Sequence, residues 1–327
     1  MVDAGWRRHD RRMTQTTPTT RRTISIVDLG SLLFLGAVWG AAFLFLRIAA
    51  PEVGPVWAAE IRLAIGAAVL VLVAGRATLR VARGRLTTLL IVGALFSAVP
   101  FTLISVAEVT LPAGFTSLLN AATPLFTAAI AVGFMGQRVS IRVATGLAVG
   151  VVAVITLVGW SPLEPGATTI LAVAAGLGAP ASYAVAGNFV RARLADVEPL
   201  VLATGMVTAG ALVALPVAML SGPPGTPAAD GAISLLGVGV LSTAVAWPIF
   251  FGVLRRTTPT AASTVTFIVP AFAIAWGSIV LAEPVGVGLV VGFGLILVSL
   301  MLVLGITPRV LMPWTARRLA AAPDAAG

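Results

Sequence analysis

The chain has 327 residues, 58% of them hydrophobic and only 10% charged, with a mean hydropathy of +1.05. A soluble domain carries about 25% charged residues, so this chain cannot cover a water-facing surface and must turn most of its exterior to lipid. Its formal net charge of +9 is spread between apolar runs rather than gathered on one face, which argues against a nucleic-acid partner. With no cysteine, disulfides, thiolate metal sites and thiol catalysis are excluded.

Residues 1–23 are polar and rich in Arg and Thr, the composition of a disordered basic cytoplasmic tail. Arg21 and Arg22 read as a positive anchor ahead of the first apolar run. Ten apolar stretches follow, at 28–46, 55–75, 87–106, 111–135, 142–159, 168–190, 199–220, 231–254, 259–281 and 285–305. Each is near the length of about 20 residues that crosses a bilayer core as a helix. Barrel strands would alternate in polarity over segments of about ten residues, a pattern this chain lacks. The predicted fold class is therefore an all-α membrane protein with ten transmembrane helices. Pro51, Gly54, Pro55 and the segments 161–166 and 221–227 punctuate the connections. Residues 306–327 form a second cytoplasmic tail.

The basic residues are all Arg, which fits the codon bias of a GC-rich bacterial genome. With both termini inside, 19 of the 21 fall on the cytoplasmic side, leaving Arg47 outside and Arg62 within the second helix. The outer loops hold acids instead: Glu52, Glu108, Glu164, Asp230 and Glu283. That alternation obeys the positive-inside rule for an even number of spans and predicts a multi-pass protein of the cell membrane.

The chain also repeats at a spacing of 146 residues. Gly93, Ser117, Pro124, Phe126, Gly146 and Gly159 match Gly239, Ser263, Pro270, Phe272, Gly292 and Gly305. At nearly that spacing, Trp39 matches Tyr183 and Arg47 matches Arg191. Five helices per copy is an odd number, so the copies sit as inverted repeats, an architecture of secondary transporters. The predicted modules are 28–159 and 168–305.

The segments WGAAFLFLR (39–47), AGFTSLLNAATPLFTAAIAVGFMGQR (113–138) and TAASTVTFIVPAFAIAWGSIVLAEP (260–284), with Arg62 between the first two, resemble the two modules of EamA-type permeases in the drug/metabolite transporter superfamily. The resemblance covers about residues 28–305. It implies a ten-helix permease passing small organic solutes, such as amino acids or metabolites, through a central cavity between the modules. One departure is Gly136-Gln137 where the family usually has Gly-Glu, so that position reads as structural.

Polar groups inside a membrane are costly and become candidates for function. Pro124 and Pro270 each remove a helix hydrogen bond and free a carbonyl. Thr116, Asn120, Thr123 and Pro124 on the fourth helix, with Thr266 and Pro270 on the ninth, would present polar atoms to one cavity. Helix–helix hydrogen bonding is the alternative for the same side chains. Trp39 and Tyr183 are repeat equivalents that could line an aromatic path, as could Trp247, Trp276 and Asn188. Arg62 reads as a substrate charge clamp, because the family carries an Arg there, and Glu60 as the coupling group if transport is proton-driven. An outer-vestibule ion pair is the competing reading for Glu60. Gly146-xxx-Gly150 and Gly288-xxx-Gly292 read as close helix packing.

An intramembrane enzyme would need a Ser–His, paired-Asp or metal arrangement, yet the only His is His9 in the tail. No cofactor or metal is expected. The sequence reads as a secondary transporter, an exporter of small organic solutes by alternating access, either monomer or homodimer. A passive channel or lipid flippase is the alternative.

Overall fold

The computed structural model describes residues 25–133, 140–160, 166–257, 262 and 264–305. The two predicted tails, Ser263 and the Gly136-Gln137 pair lie outside these residues.

Among the described residues every regular element is helical. In chain order they are α1 (Ile26–Val53), α2 (Pro55–Gly93), a π segment Ala94–Ala98, α3 (Val99–Thr110), α4 (Ala113–Asn120), α5 (Thr123–Gly133) and α6 (Ile141–Gly159). Then come α7 (Ala167–Arg193), α8 (Pro199–Leu220), α9 (Ala229–Gly239), a second π segment Val240–Val245, α10 (Ala246–Arg256), α11 (Val265–Leu281) and α12 (Val287–Leu304). Eight helical stretches are long and apolar enough to cross a membrane, and α11 adds an apolar helix of 17 residues. Large apolar side chains such as Leu72, Ile155 and Leu220 point outward, as a lipid-facing surface requires.

Several boundaries differ from the sequence reading. Helix α1 starts at a Ser25/Asp28 capping box and runs to Val53, so Arg47 and Glu52 belong to the helix rather than to a loop. It stops at Gly54, whose φ of 88° only glycine adopts freely, and Pro55 opens α2 at a position where its missing N–H costs nothing. Glu108, placed in an outer loop by its charge, instead sits fully buried in the last turns of α3.

The polar stretch after residue 75, read as a loop, continues as helix. Pro55–Thr110 is one helical run of 56 residues, broken where Arg85 takes φ −139° and ψ 24°. In a straight helix Arg62 and Phe101 would stand about 58 Å apart. The Arg62 guanidinium instead lies 3.6 Å from the centre of the Phe101 ring, so the run doubles back on itself. Arg85 fixes the bend through a two-pronged ion pair with Asp196 at 2.7 and 2.8 Å. The same fork of hydrogen bonds holds the Asp196 carboxyl below its ordinary range.

Polar contacts tie the helix ends together on two opposite faces. On one, Arg256 at the end of α10 pairs with Asp28 at the start of α1 at 3.1 Å, and Arg85 pairs with Asp196. On the other, Arg47 pairs with Glu283 at 3.5 Å and also donates to the carbonyls of Glu108 and Val109. There the Glu283 carboxylate accepts from the Ala113 N–H at the head of α4, an N-terminus that favours negative charge. Glu52 accepts from the Ala228 N–H at 2.9 Å, and Trp57 donates to the Gly222 carbonyl at 2.6 Å.

Between these faces the helices pack through small residues. Helix α1 lies on α11, where a Cβ on Gly40 would come 2.6 Å from that of Phe272. Helix α2 lies on α8, with Gly93 against Gly210. Helix α6 lies on α12, with Gly146 and Gly150 against Ser299 and Gly292 against Leu157; Ser299 donates to the Gly146 carbonyl at 2.6 Å. Helix α7 packs on α3, α4 and α5. The two π segments begin 146 positions apart, at Ala94 and Val240.

Candidate functional site

Proline chemistry shapes the middle of the molecule. Pro124 has no N–H to give the Asn120 carbonyl, and the chain unwinds at Ala121 and Ala122 between α4 and α5. The Thr123 hydroxyl takes over, donating to that carbonyl at 2.9 Å, while the side-chain Oδ1 of Asn120 keeps no partner. Pro270 behaves differently. Helix α11 begins after a turn at Thr264 and runs unbroken through Pro270 to Leu281.

A π segment adds a residue to a helical turn and often marks a functional position. The second one, Val240–Val245, turns Ser242 and Thr243 toward α1 and α2. Thr243 Oγ1 accepts from Arg62 Nε at 2.9 Å and itself donates to the Val238 carbonyl at 2.8 Å. The Ser242 carbonyl accepts from Trp39 Nε1 at 3.1 Å, and the Ser242 hydroxyl donates to the Val38 carbonyl. Arg62 and Trp39 are thus held by one short stretch of irregular helix.

These residues sit at the floor of a cavity of about 800 Å³. Its walls come from both halves of the chain and bring together Trp39, Arg62, Asn120, Thr123, Pro124, Tyr183, Thr266 and Pro270, with Trp247 and Asn188 beside them. Trp247 centres an aromatic cluster, 5.1 Å from Trp39 and 5.2 Å from Phe96 between ring centres, and Phe96 in turn lies 5.3 Å from Tyr183. Asn188 donates back to the Ala184 carbonyl of its own helix.

At one end the cavity lining reaches Arg191, Ala195, Arg255 and Leu304, near the helix ends tied by the Asp28–Arg256 and Arg85–Asp196 pairs. No residue of the Arg47, Glu283 and Ala113 cluster borders it.

Three residues singled out by sequence stand elsewhere. Thr116 does not reach the cavity; it is fully buried and its hydroxyl turns back to the Pro112 carbonyl at 3.3 Å. Glu60 is 5% exposed and lies off the cavity, with Oε2 lacking a partner; two residues from Arg62, it faces a different side of the helix. Trp276 is a strut, donating to the Ala37 carbonyl of α1 at 3.1 Å.

Sequence reasoning missed Phe96, Phe101, Ser242 and Thr243. A signal for Phe101 was present, because it stands 146 positions before Trp247, and the two rings stack at 6.5 Å. Among the described residues no three His, Cys, Asp or Glu side chains gather as a metal site needs.

The EamA-like transporter family matches the chain twice, over residues 29–159 and 170–305. An uncharacterized transporter of Archaeoglobus fulgidus is 22% identical over 269 residues, covering 81% of this chain and 94% of that protein. The uncharacterized transporter YvbV of Bacillus subtilis is 26% identical over 281 residues, covering 83% and 90%. A solved crystal structure superposes with a TM-score of 0.58 at 16% identity, over 89% of this chain and 98% of its own, a likeness of fold.

Proposed function

The chain belongs to the EamA-like transporter family, and from that premise we propose a ten-span secondary carrier that exports small organic solutes by alternating access. The observation that carries this reading is the cavity, walled by both halves of the chain, with the Arg47–Glu283 pair off its lining.

Ten spans follow if the bent run Pro55–Thr110 crosses twice and α11 crosses once. Two inverted modules, 28–159 and 168–305, are supported by packing that exchanges under the 146-residue offset. Helix α1 packs on α11 as α7 packs on α4 and α5, while α2 meets α8 and α6 meets α12. Repeat-related Phe101 and Trp247 meet at the centre.

The Arg-rich face, with Arg76, Arg80, Arg83, Arg191 and Arg255, is the cytoplasmic one by the positive-inside rule. The cavity lining reaches that face through Arg191, Ala195 and Arg255, which supports reading this conformation as the inward-facing one in which an exporter loads. Rocking of one module against the other would open the opposite side. Glu60 remains the candidate for a coupling proton, as a buried carboxylate on the same helix as Arg62 with an oxygen that no described residue satisfies. Such a carrier resides in the cell membrane with both termini cytoplasmic, as monomer or homodimer.

Purified protein in liposomes tests the reading. A carrier gives saturable uptake and counterflow of a labelled solute. Uptake that rises linearly with concentration, without counterflow, would mean a channel and would end the proposal.

A further inference from the structure

The cavity is lined by donors and positive charge. Its charged lining residues are Arg62, Arg191 and Arg255, and no Asp or Glu is among the described residues that border it. Arg62 is 4% exposed. Its Nε is engaged by Thr243 and one face of the guanidinium lies on the Phe101 ring. The described hydrogen bonds and ion pairs leave its two terminal nitrogens without an acceptor. A buried cation without a carboxylate partner is an arrangement that folding alone disfavours, and the deficit vanishes if the occupant brings a carboxylate.

Resting on the carrier reading above, we propose that the transported solute is an amphipathic organic anion, with an aromatic or bulky aliphatic body, one carboxylate and no ammonium group. The carboxylate sits on the terminal nitrogens of Arg62, with the body among Trp39, Phe96 and Phe250. A fork of guanidinium donors matches two carboxylate oxygens in plane, and the site's low dielectric strengthens the attraction. An ammonium group finds no such match. The unpartnered acceptor, Asn120 Oδ1, is neutral, and the ring nearest the charge already carries Arg62 on its face. Aromatic rings do attract cations, but here a second cation would lie beside an uncompensated first. Arg191 and Arg255 add a field that draws anions inward.

Four probes sharing one body separate the chemistry: 3-phenylpropionate, 3-phenylpropanol, 3-phenylpropylamine and phenylalanine. Binding is read by calorimetry on the full-length protein in nanodiscs. The expected result is 3-phenylpropionate binding at least about ten-fold tighter than each of the other three, an energy of about 1.4 kcal/mol. Arg62→Gln should erase that preference. Arg62→Lys should keep its sign with weaker binding. Size-exclusion profiles identical to the wild type exclude misfolding, and the charge-preserving Lys variant guards against it independently. Equal or tighter binding of the amine or of phenylalanine overturns the proposal, as does no binding of any probe, or an anion preference that survives Arg62→Gln. Counterflow of the amine in liposomes would leave the carrier standing and remove the anion assignment. Sign-selective binding without counterflow of any probe would keep the anion site and remove the carrier.

Discussion

Arg62 on α2 and Thr243 on the second π segment are 181 positions apart in sequence and meet at 2.9 Å in a buried hydrogen bond. The hydroxyl accepts from the guanidinium and orients it, and it donates its own hydrogen bond to the Val238 carbonyl. Hydrogen bonds to a charged group contribute about 1.5–3 kcal/mol. Thr243→Val should therefore lower stability by about that amount in thermal unfolding of the purified protein, while Thr243→Ser stays within about 1 kcal/mol of the wild type. A Val variant as stable as the native chain would mean that Arg62 is held by other contacts.

Pro124→Ala restores an N–H opposite the Asn120 carbonyl and lets α4 and α5 join. The expected outcome is a gain of about 1 kcal/mol in stability with counterflow slowed by about ten-fold, because a hinge becomes a rod. Faster or unchanged counterflow would show that the break plays no part in the cycle.

Glu283 links α1 and α4 through Arg47 and the Ala113 N–H, on the face that the proposed carrier keeps closed. Glu283→Ala should expose that side: a single cysteine introduced at Ile104, in a chain that has no cysteine of its own, should become reactive to an impermeant thiol reagent added outside cells. Protection equal to that of the parent would place the seal elsewhere. With the same reagent, cysteines at 22 and 309 should react only after the cells are opened, and one at 224 should react in intact cells.

Glu60→Gln should abolish acceleration of uptake by a pH gradient and leave counterflow intact. A gradient response retained in this variant would remove Glu60 from coupling and direct attention to Glu108, whose two buried carboxylate oxygens also lack hydrogen-bond partners.

The bend at Arg85 makes a prediction in pH. Arg85 lowers the Asp196 carboxyl relative to the ordinary value of 3.8, so the pairing stabilises the fold at every pH above that value and is lost as pH falls through the lowered one. Amide exchange at Leu194 to Val197, corrected for intrinsic rates, should stay constant from neutral pH down to 3.8 and rise only in stronger acid. Asp196→Asn should show fast exchange already at neutral pH.

Much of the cavity was legible in the sequence. Pro124, Asn120 and Thr123 announce a break because their chemistry is local: a missing N–H, a freed carbonyl, a hydroxyl within reach. Trp39 and Tyr183, and likewise Pro124 and Pro270, are paired by an offset, which tells that they occupy related places. What stayed hidden depended on backbone register. The π segments at Ala94–Ala98 and Val240–Val245 rotate Thr243 toward α2, and no hydrophobic period reveals that rotation. Charge misled for Glu108, since an acid near a helix end reads as exposed, and only tertiary packing buries it. Thr116 shares α4 with Asn120, but tertiary packing buries it completely and its hydroxyl turns back to the Pro112 carbonyl, which the sequence does not reveal.

Gly36 and Gly40 on α1 face Ile268 and Phe272 on α11, and Gly93 faces Gly210, so the matching surfaces leave the ribosome at very different times. When the first half has been made, the small-residue grooves on α1 and α2 still lack the helices that fill them. Assembly must therefore wait for the last helices and then expel lipid from seams prepared in advance. A chain interrupted after Gly159 would leave those seams open and become prey for quality-control proteolysis, whereas the two halves synthesised side by side in one membrane have every surface needed to find each other.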